Sequence, residues 1–182
     1  MKNLERRRLV RALSDRDERK RWEAATALVG LDDPKAVHAV QRTFQKSGED
    51  DSRAAAAYVL GFSGDADMAS SLAGALADPE ESDVVRAYSA EALGHLLQHE
   101  PVLAEVRTAI RAGLRDSAPE VRFWCLFAAG VLGLQELRAQ IVHLADTDGD
   151  EIDGWWSVAE EAEWALRVLD GEEDPPLPNQ RA

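Results

Sequence analysis

A motif that recurs every 32 to 36 residues constrains the fold of this chain more than any other feature of its sequence. Each copy begins with an arginine, has small residues three and four positions later, and ends with leucine and then glycine. The copies begin at Arg21, Arg53, Arg86 and Arg122. The glycine comes one position late in the first copy, and the last copy follows the motif loosely. A period of this length indicates an array of similar units that stack on one another.

The sequence around the motif indicates that each unit is a pair of α-helices. Each copy reads as an inner helix, and the segments between copies carry apolar residues at helical spacing, as at Val102, Val106 and Ile110. Asp33-Pro34 is typical of a helix start, with aspartate as the N-cap and proline in the first turn. Ten helices in five pairs are therefore predicted. A single hairpin of this size cannot bury its apolar face alone, so the pairs are expected to share one core.

The fifth inner helix is expected to be a degenerate copy. When Leu166 is aligned with Leu93, the arginine position holds Ala159 and the glycine position holds Arg167. Terminal repeats commonly depart from the motif, because one of their faces meets solvent. In the other copies, the small residues let neighbouring helices approach closely, and the glycine is expected to end the inner helix.

In the motif Val85-Arg86, Ala90 and Leu93-Gly94, and in its upstream copy, the chain resembles HEAT repeats of the short bacterial type also found in phycobilisome lyases. The resemblance covers residues 4–169. It implies an all-α fold, a right-handed α–α superhelix or solenoid of about five HEAT-like helical hairpins, and a binding scaffold rather than a particular activity. Residues 1–170 are expected to form this single domain. Residues 171–182 are acidic and rich in proline, and are predicted to be a mobile tail.

Charge is divided unevenly along the chain. Residues 1–50 hold 12 basic and 9 acidic residues, whereas residues 51–182 hold 9 basic and 25 acidic residues, a net charge of −16. This field repels phosphate backbones, so nucleic-acid binding is not expected, and neither is the activity of HEAT-like DNA glycosylases, which use a positive surface. It favours a basic protein or peptide as the partner, although a solubilising surface explains the charge equally well.

The location of the protein is predicted from what the sequence lacks. No run of about 18 apolar residues indicates a membrane span, and the basic stretch at residues 1–8 is not followed by an apolar one, as a signal peptide would require. Cys125 is the only cysteine, occupies a small-residue core position, and is expected to be buried and inert. These features predict a cytoplasmic protein that acts as a monomer or within a hetero-complex.

The repeat register predicts a binding surface on the inner helices. Positions one, two, five and nine after the arginine face away from the core positions, and several of them are aromatic. The rings of this predicted strip are Tyr58, Tyr88, Trp124, Phe127 and Trp164. The carboxylates expected at its edge are Glu91, Glu160 and Glu161. Exposed aromatic rings commonly mark interface hot spots. The alternative is that the register is one position off, or that curvature buries these rings as ordinary core.

The arginines of the motif have a structural and a functional interpretation. Four arginines at one repeat position could form a ladder that binds phosphate groups. The position is equally one at which arginine holds the repeat together by binding carboxylates in the loops, such as Asp51 and Asp83. The structural interpretation is preferred.

Other patterns give no firm catalytic or metal site. The acidic segment 146–153 resembles a calcium loop, but Glu151 and Ser157 stand where an EF-hand requires glycine and glutamate. One metal-like cluster consists of Glu91, His95, His99 and Glu100, and the spacing of four predicts that Glu91, His95 and His99 share one helix face. His99-Glu100 resembles a His-Glu pair of HEAT-like di-iron hydroxylases, but a second half-site is missing. Neither a phosphate-binding loop nor an activated nucleophile is recognisable. No enzyme activity, metal or cofactor is therefore expected.

The function expected from these features is protein–protein interaction without catalysis. The acidic, aromatic-lined inner face would bind a basic protein or peptide, as an immunity protein that blocks a basic toxin or as an adaptor in a complex. The resemblance keeps one alternative open, a lyase-like or chaperone subunit that handles a tetrapyrrole or another cofactor.

Overall fold

The computed structural model describes residues 2–31, 33–173 and 175–178, with Lys2 described by its backbone only. Within this part of the chain lie ten α-helices, and β-structure is limited to one bridge pair between Glu151 and Ser157. The helices are α1 (Lys2–Ala12), α2 (Glu18–Val29), α3 (Pro34–Lys46), α4 (Asp50–Ser63), α5 (Ala69–Ala77), α6 (Asp83–Leu96), α7 (Ala104–Gly113), α8 (Pro119–Val131), α9 (Arg138–Thr147) and α10 (Val158–Leu169). Single 3-10 turns at Ala66–Met68 and Gln135–Leu137 precede α5 and α9. The predicted all-α solenoid of five helical pairs is confirmed.

The helices form two layers with the core between them. The even-numbered helices α2 to α10 are the inner layer, in which each helix packs along the next, and the odd-numbered helices cover them. Leu60 and Leu93 of the inner layer and Leu72 and Ile110 of the outer layer are fully buried. Cys125 is also buried, as predicted, and its burial raises the pKa of the thiol. No helix in the described part of the chain combines the length and apolarity that crossing a bilayer requires.

Gly30 caps the C-terminus of α2, so the prediction that the repeat glycine ends the inner helix is confirmed for the first copy. It is wrong for the next three copies, whose glycines lie inside their helices. α4 continues past Gly61, and α6 continues past Gly94. A Cβ atom added to Gly61 would lie 2.8 Å from the Cα of Ala92 in the next inner helix, and the corresponding distance from Gly130 to the Cα of Ala165 is 3.1 Å. Glycine is therefore required here because it lets successive inner helices touch backbone to backbone.

The Gly61→Ala substitution is expected to destabilise the protein by roughly 1–3 kcal/mol, because the added methyl group forces α4 and α6 apart. The matched control is Gly74→Ala in the exposed part of α5, where an added Cβ has no atom within 4 Å. That change is expected to stabilise the protein by about 0.5–1 kcal/mol through helix propensity. Urea unfolding of both variants measures the difference. Equal effects of the same sign would show that Gly61 is not a packing residue.

The arginine at the first position of each repeat binds a carboxylate that belongs to the next repeat. The pairs are Arg21–Asp51 at 2.8 Å, Arg53–Glu81 at 2.7 Å, Arg86–Asp116 at 2.9 Å and Arg122–Asp148 at 2.7 Å. Arg86 also binds Asp83 in its own repeat at 2.7 Å. The structural interpretation of the arginine ladder is thus confirmed, including its predicted partners Asp51 and Asp83. Each pair fastens one hairpin to the next, at the loop before its inner helix or, for Asp51, at the first turn of that helix.

Part of the C-terminal segment lies against the last inner helix. The indole nitrogen of Trp164 donates a hydrogen bond to the carbonyl oxygen of Pro175 at 3.2 Å. Pro175 and Pro178 are buried, and Leu177 packs against the core. Asp174 and residues 179–182 fall outside the described residues. The division into a domain of residues 1–170 and a mobile tail of residues 171–182 stays a prediction.

Candidate functional site

Aromatic side chains of four inner helices meet around one cavity of about 370 Å³. We call it the aromatic cavity. α4 contributes Tyr58 and Phe62, α6 contributes Glu91 and His95, α8 contributes Phe123, Trp124 and Phe127, the loop between α9 and α10 contributes Trp155 and Trp156, α10 contributes Glu161 and Trp164, and the C-terminal segment contributes Leu177. The volume lies within the range of small-molecule and side-chain binding sites.

The repeat itself explains why these residues meet. The inner helices stack in register, so the fifth position after the arginine recurs at the same height in each copy. This position holds Tyr58, Glu91, Phe127 and Trp164 in successive repeats, and all four line the cavity. The rings of Phe127 and Trp164 are stacked, with centroids 6.0 Å apart and planes inclined by 17°.

Edge-to-face ring pairs fix the remaining walls. Trp124 lies 5.8 Å from Phe127 and 5.2 Å from Trp155 between ring centroids, and both pairs are close to perpendicular. Trp155 in turn lies 5.3 Å from Trp156 in the same geometry. Such pairs are favourable because the positive edge of one ring meets the negative face of another. The rings therefore support one another and keep the cavity formed without a ligand.

The cavity has a buried floor and an exposed mouth. Phe123 and Trp156 are buried, whereas Phe62 and Trp155 are 46% and 49% exposed. These two rings are among the few large apolar side chains that the described residues expose to solvent. Their exposure gives a ligand access from the surface.

Glu161 lies at the floor and is bound by a tryptophan. Its side chain is only 2% exposed, and its Oε2 accepts a hydrogen bond from the indole Nε1 of Trp156 at 2.7 Å. Burial raises the pKa of Glu161 to about 8, although the hydrogen bond from Trp156 acts in the opposite direction. Burial dominates because removal from water disfavours the charged form of a carboxyl group.

Glu91 is the second buried carboxylate and has an unsatisfied oxygen. It is 7% exposed, and its Oε2 has no hydrogen-bond partner among the described residues. Its Oε1 lies 3.9 Å from the Nε2 of His95, which is beyond hydrogen-bond distance. Burial raises the pKa of Glu91 to about 7 and lowers that of His95. No lysine or arginine is among the described residues that line the cavity.

The structure brings together most, but not all, of the residues predicted for the binding strip. Those at the aromatic cavity are Tyr58, Glu91, Trp124, Phe127, Glu161 and Trp164. Tyr88 lies outside it and packs on Trp22, with ring centroids 4.9 Å apart. Glu160 caps α10, where its Oε2 accepts a hydrogen bond from the backbone nitrogen of Ser157 at 3.0 Å.

Two details of the predicted strip are corrected by the structure. Glu91 and Glu161 were expected as carboxylates at a solvent-exposed edge, but both are buried. The aromatic members are half-buried rather than free in solvent or fully buried in the core. The physical reason is that successive inner helices approach closely and cover position five, where Glu91 lies, while Trp156 of the α9–α10 loop covers Glu161 at position two.

Sequence reasoning missed the residues that the α9–α10 loop supplies. Trp155 and Trp156 follow Gly154, whose φ of 78° turns the chain, and the bridge between Glu151 and Ser157 closes the loop. These tryptophans lie outside the repeat register, so the register could not place them. The available signal was a pair of adjacent tryptophans within an acidic segment. Phe62 was not named in the strip, although position nine after Arg53 was predicted to face it.

The two metal-like patterns are accounted for by other contacts. α6 ends at Leu96, so His99 does not share a helix face with Glu91 and His95, and the predicted alignment of the three is wrong. In the acidic loop, Asp148 and Asp150 both bind Arg122, each at 2.7 Å. Within the described residues, no three potential ligands are grouped as a metal ion would require.

A second cavity, of about 610 Å³, lies between α1 and α3 and is lined by cationic side chains. They include Arg7, Arg11 and Arg42, while Arg6 is bound to Asp33 at 2.9 Å. None of these side chains is buried. The aromatic cavity is the stronger candidate for a binding site, because two buried carboxyl groups, those of Glu91 and Glu161, lie among its apolar walls.

The layered helical pairs, the arginine ladder and the in-register inner helices define a HEAT-repeat solenoid. The family model described as HEAT repeats matches residues 7–94, and the predicted resemblance to HEAT-repeat proteins is confirmed. No curated protein matches the sequence.

Among solved structures, the chain is similar to one in the complex of CpcE and CpcF of phycocyanin lyase from Nostoc sp. PCC7120. The TM-score is 0.69, the sequence identity is 18%, and the match covers 88% of this chain and 97% of that chain. At this identity the likeness shows the fold alone. The similar protein is described as a complex of two subunits.

Proposed function

We propose that this solenoid is a non-catalytic protein-binding module that holds a basic protein or peptide at the aromatic cavity. The observation that supports this proposal most directly is the pair of buried carboxylates, Glu91 and Glu161, in a cavity whose lining has no cationic side chain. Aromatic rings surround both carboxylates, and tryptophan and tyrosine are enriched at interface hot spots. A partner that brings positive charge would complement this site.

The charge of the surrounding chain supports the same choice of partner. Residues 51–182, which contain the whole cavity, carry a net charge of −16. Such a field raises the rate at which a basic partner is captured and makes that rate sensitive to salt. The buried rings would govern how long the complex lasts, since most affinity differences arise in dissociation.

The proposed role is that of an immunity protein against a basic toxin, or of an adaptor, acting in the cytoplasm as a monomer or within a hetero-complex. Residues 1–170 would be the binding domain. The similar two-subunit complex supports association with a different chain as a mode of action for this fold.

Replacing Trp124 or Trp164 by alanine is expected to weaken partner binding by about 2 kcal/mol or more, because each ring forms a wall of the cavity. The partner is first isolated by affinity purification from the native host, and calorimetric titration then compares the variants at two salt concentrations. Trp22→Ala, an aromatic deletion outside the cavity, is the matched control. Asp153→Asn removes one exposed acidic charge nearby and is expected to cost well under about 1 kcal/mol.

Full affinity in both tryptophan variants, with helical content intact, would contradict the proposal and place the interface elsewhere. The cationic cavity between α1 and α3 would then be tested by Arg7→Ala and Arg11→Ala, with an acidic rather than a basic partner expected.

A second candidate function is a lyase-like or chaperone subunit that handles a tetrapyrrole. Two observations favour it, namely the fold likeness to a chain of a phycocyanin lyase complex and the apolar, aromatic walls of the cavity. Incubation with a free bilin followed by gel filtration separates the candidates. Pigment that co-elutes with the protein, and is lost in Trp124→Ala, would favour this second function.

A further inference from the structure

We propose that the aromatic cavity binds an alkylammonium group, and that its occupant is a lysine side chain of the partner, preferably a methylated one. This inference rests on the proposed function and specifies the group that the partner inserts. It stands on three features of the cavity: an unsatisfied buried acceptor, aromatic walls and a small number of acceptors.

The first feature is the carboxylate of Glu91. An acceptor that is buried without a donor costs free energy, and the cost falls when a ligand supplies the missing hydrogen bond or charge. The Oε2 of Glu91 is in this state, since it is buried, borders the cavity and accepts no hydrogen bond within the described part of the chain. Glu161 adds a second carboxylate, of which Oε2 is bound by Trp156. The cavity thus offers two carboxyl groups that a bound cation would ionise, and no lysine or arginine in its lining supplies a countercharge.

The second feature is the aromatic wall. Trp124, Phe127, Trp155 and Trp164 line the same space as Glu91, and their mutual packing holds them in place. The face of an aromatic ring is negative and attracts a cation, most strongly for tryptophan and when water is excluded. Alkylammonium groups, whose methyl or methylene groups are apolar, suit such walls better than a strongly hydrated ion does.

The third feature, the small number of hydrogen-bond acceptors, indicates which kind of cation fits the cavity. A guanidinium group carries five N–H donors in one plane, whereas the side-chain acceptors of the cavity are the two carboxyl groups, the Tyr58 hydroxyl and a ring nitrogen of His95, and one carboxyl oxygen is already bound by Trp156. An arginine would therefore have to engage every remaining acceptor within the plane of its guanidinium group. A metal ion is not favoured, because no three potential ligands are grouped around one point within the described residues. Methylation removes N–H donors from lysine, so a methylated lysine needs fewer hydrogen-bond acceptors than lysine or arginine and fits this cavity best.

Cation binding should also release protons. Glu91 and Glu161 are held partly protonated near neutral pH by burial, and a bound cation favours their charged forms. The other titratable groups close to them are Tyr58, Tyr88 and His95, and none of these carries positive charge at pH 7 while the pKa of His95 is lowered. Proton release therefore provides a signature that purely apolar binding lacks.

The test uses the full-length protein and small probes of known chemistry. Calorimetry at pH 7 compares choline with 3,3-dimethylbutanol, its uncharged isostere, and compares the Nα-acetyl amides of trimethyllysine, lysine and arginine. Choline is expected to bind at least tenfold more tightly than the isostere, and trimethyllysine more tightly than arginine. Titration in two buffers of different ionisation enthalpy is expected to show proton release. Glu91→Gln should weaken choline binding at least tenfold, while Asp153→Asn should leave it unchanged.

Equal affinity for choline and its isostere, or full affinity of a folded Glu91→Gln variant, would overturn the ammonium site. An arginine derivative that binds best would overturn the choice of lysine, as would choline that binds far more tightly than every lysine derivative. The two proposals fail separately. If the partner depends on Trp124 but choline does not bind, the proposed function stands and the ammonium site is wrong. If choline binds but the partner does not depend on Trp124, the proposed function is wrong.

Discussion

Leu93→Asp is expected to abolish the folded state at 25 °C. Leu93 lies in α6, which packs against α4, α5 and α8, and its side chain is fully buried. The substitution removes a buried leucine, worth roughly 2–5 kcal/mol, and places a carboxylate without a partner in the core. The sum is comparable to the whole stability of a typical domain, about 5–15 kcal/mol.

Circular dichroism at 222 nm with a thermal melt checks this expectation. The matched control is Leu93→Met, which conserves volume and is expected to cost under about 1.5 kcal/mol. A Leu93→Asp variant with normal helical signal and an unchanged melting temperature would show that position seven of the repeat does not face the shared core.

Stability is expected to fall as the pH rises from 5 to 9, and Glu91→Gln is expected to remove part of that fall. Burial raises the folded-state pKa of Glu91 from an ordinary value of 4.5 to about 7, and that of Glu161 to about 8. Between the unfolded and folded pKa values the native state binds more protons than the unfolded state. Each carboxyl group therefore stabilises the fold fully below pH 4.5, and this contribution is lost as the pH passes 7 and 8. At about 1.4 kcal/mol per pKa unit, the loss for Glu91 is roughly 3 kcal/mol.

Urea unfolding at pH 5, 7 and 9 measures this dependence. Wild type and Glu91→Gln are expected to be close in stability at pH 5, with the variant more stable by roughly 2–3 kcal/mol at pH 9. Asp153→Asn, which changes an exposed acid, serves as the control and should follow the wild-type curve. Parallel curves for all three proteins would mean that Glu91 is ionised in the folded protein at neutral pH.

The layered fold could be predicted from the sequence because one motif, repeated at near-constant spacing, fixes both the helix faces and the order of stacking. The same register placed Tyr58, Phe127 and Trp164 in one row, and they line one cavity. It also identified the arginine ladder, because an arginine at one position of every copy must meet the same environment each time. Because the motif repeats, contacts between residues far apart in the sequence could be predicted from the local pattern.

The features that escaped prediction depend on distances between repeats. Glu91 and Glu161 were assigned to an exposed edge because glutamate is seldom buried. Both are buried, Glu91 between inner helices and Glu161 beneath Trp156 of the α9–α10 loop. Gly61 was interpreted as a helix end because glycine commonly ends helices. In the structure it lacks a side chain that would collide with Ala92 of the next inner helix. Trp155 belongs to the loop between α9 and α10, which is longer than the corresponding loops of the other copies. None of these three contacts is encoded in the repeat period.

The arginine ladder gives the array a direction. Each arginine reaches forward to a carboxylate of the following hairpin, so Arg122 binds Asp148 and Asp150 in the loop before α10. The fifth copy holds Ala159 at this position, where it cannot bind a carboxylate of a neighbour. A hairpin stacked on the fifth copy would therefore need an arginine at position 159 to form the ion pair that joins the other hairpins.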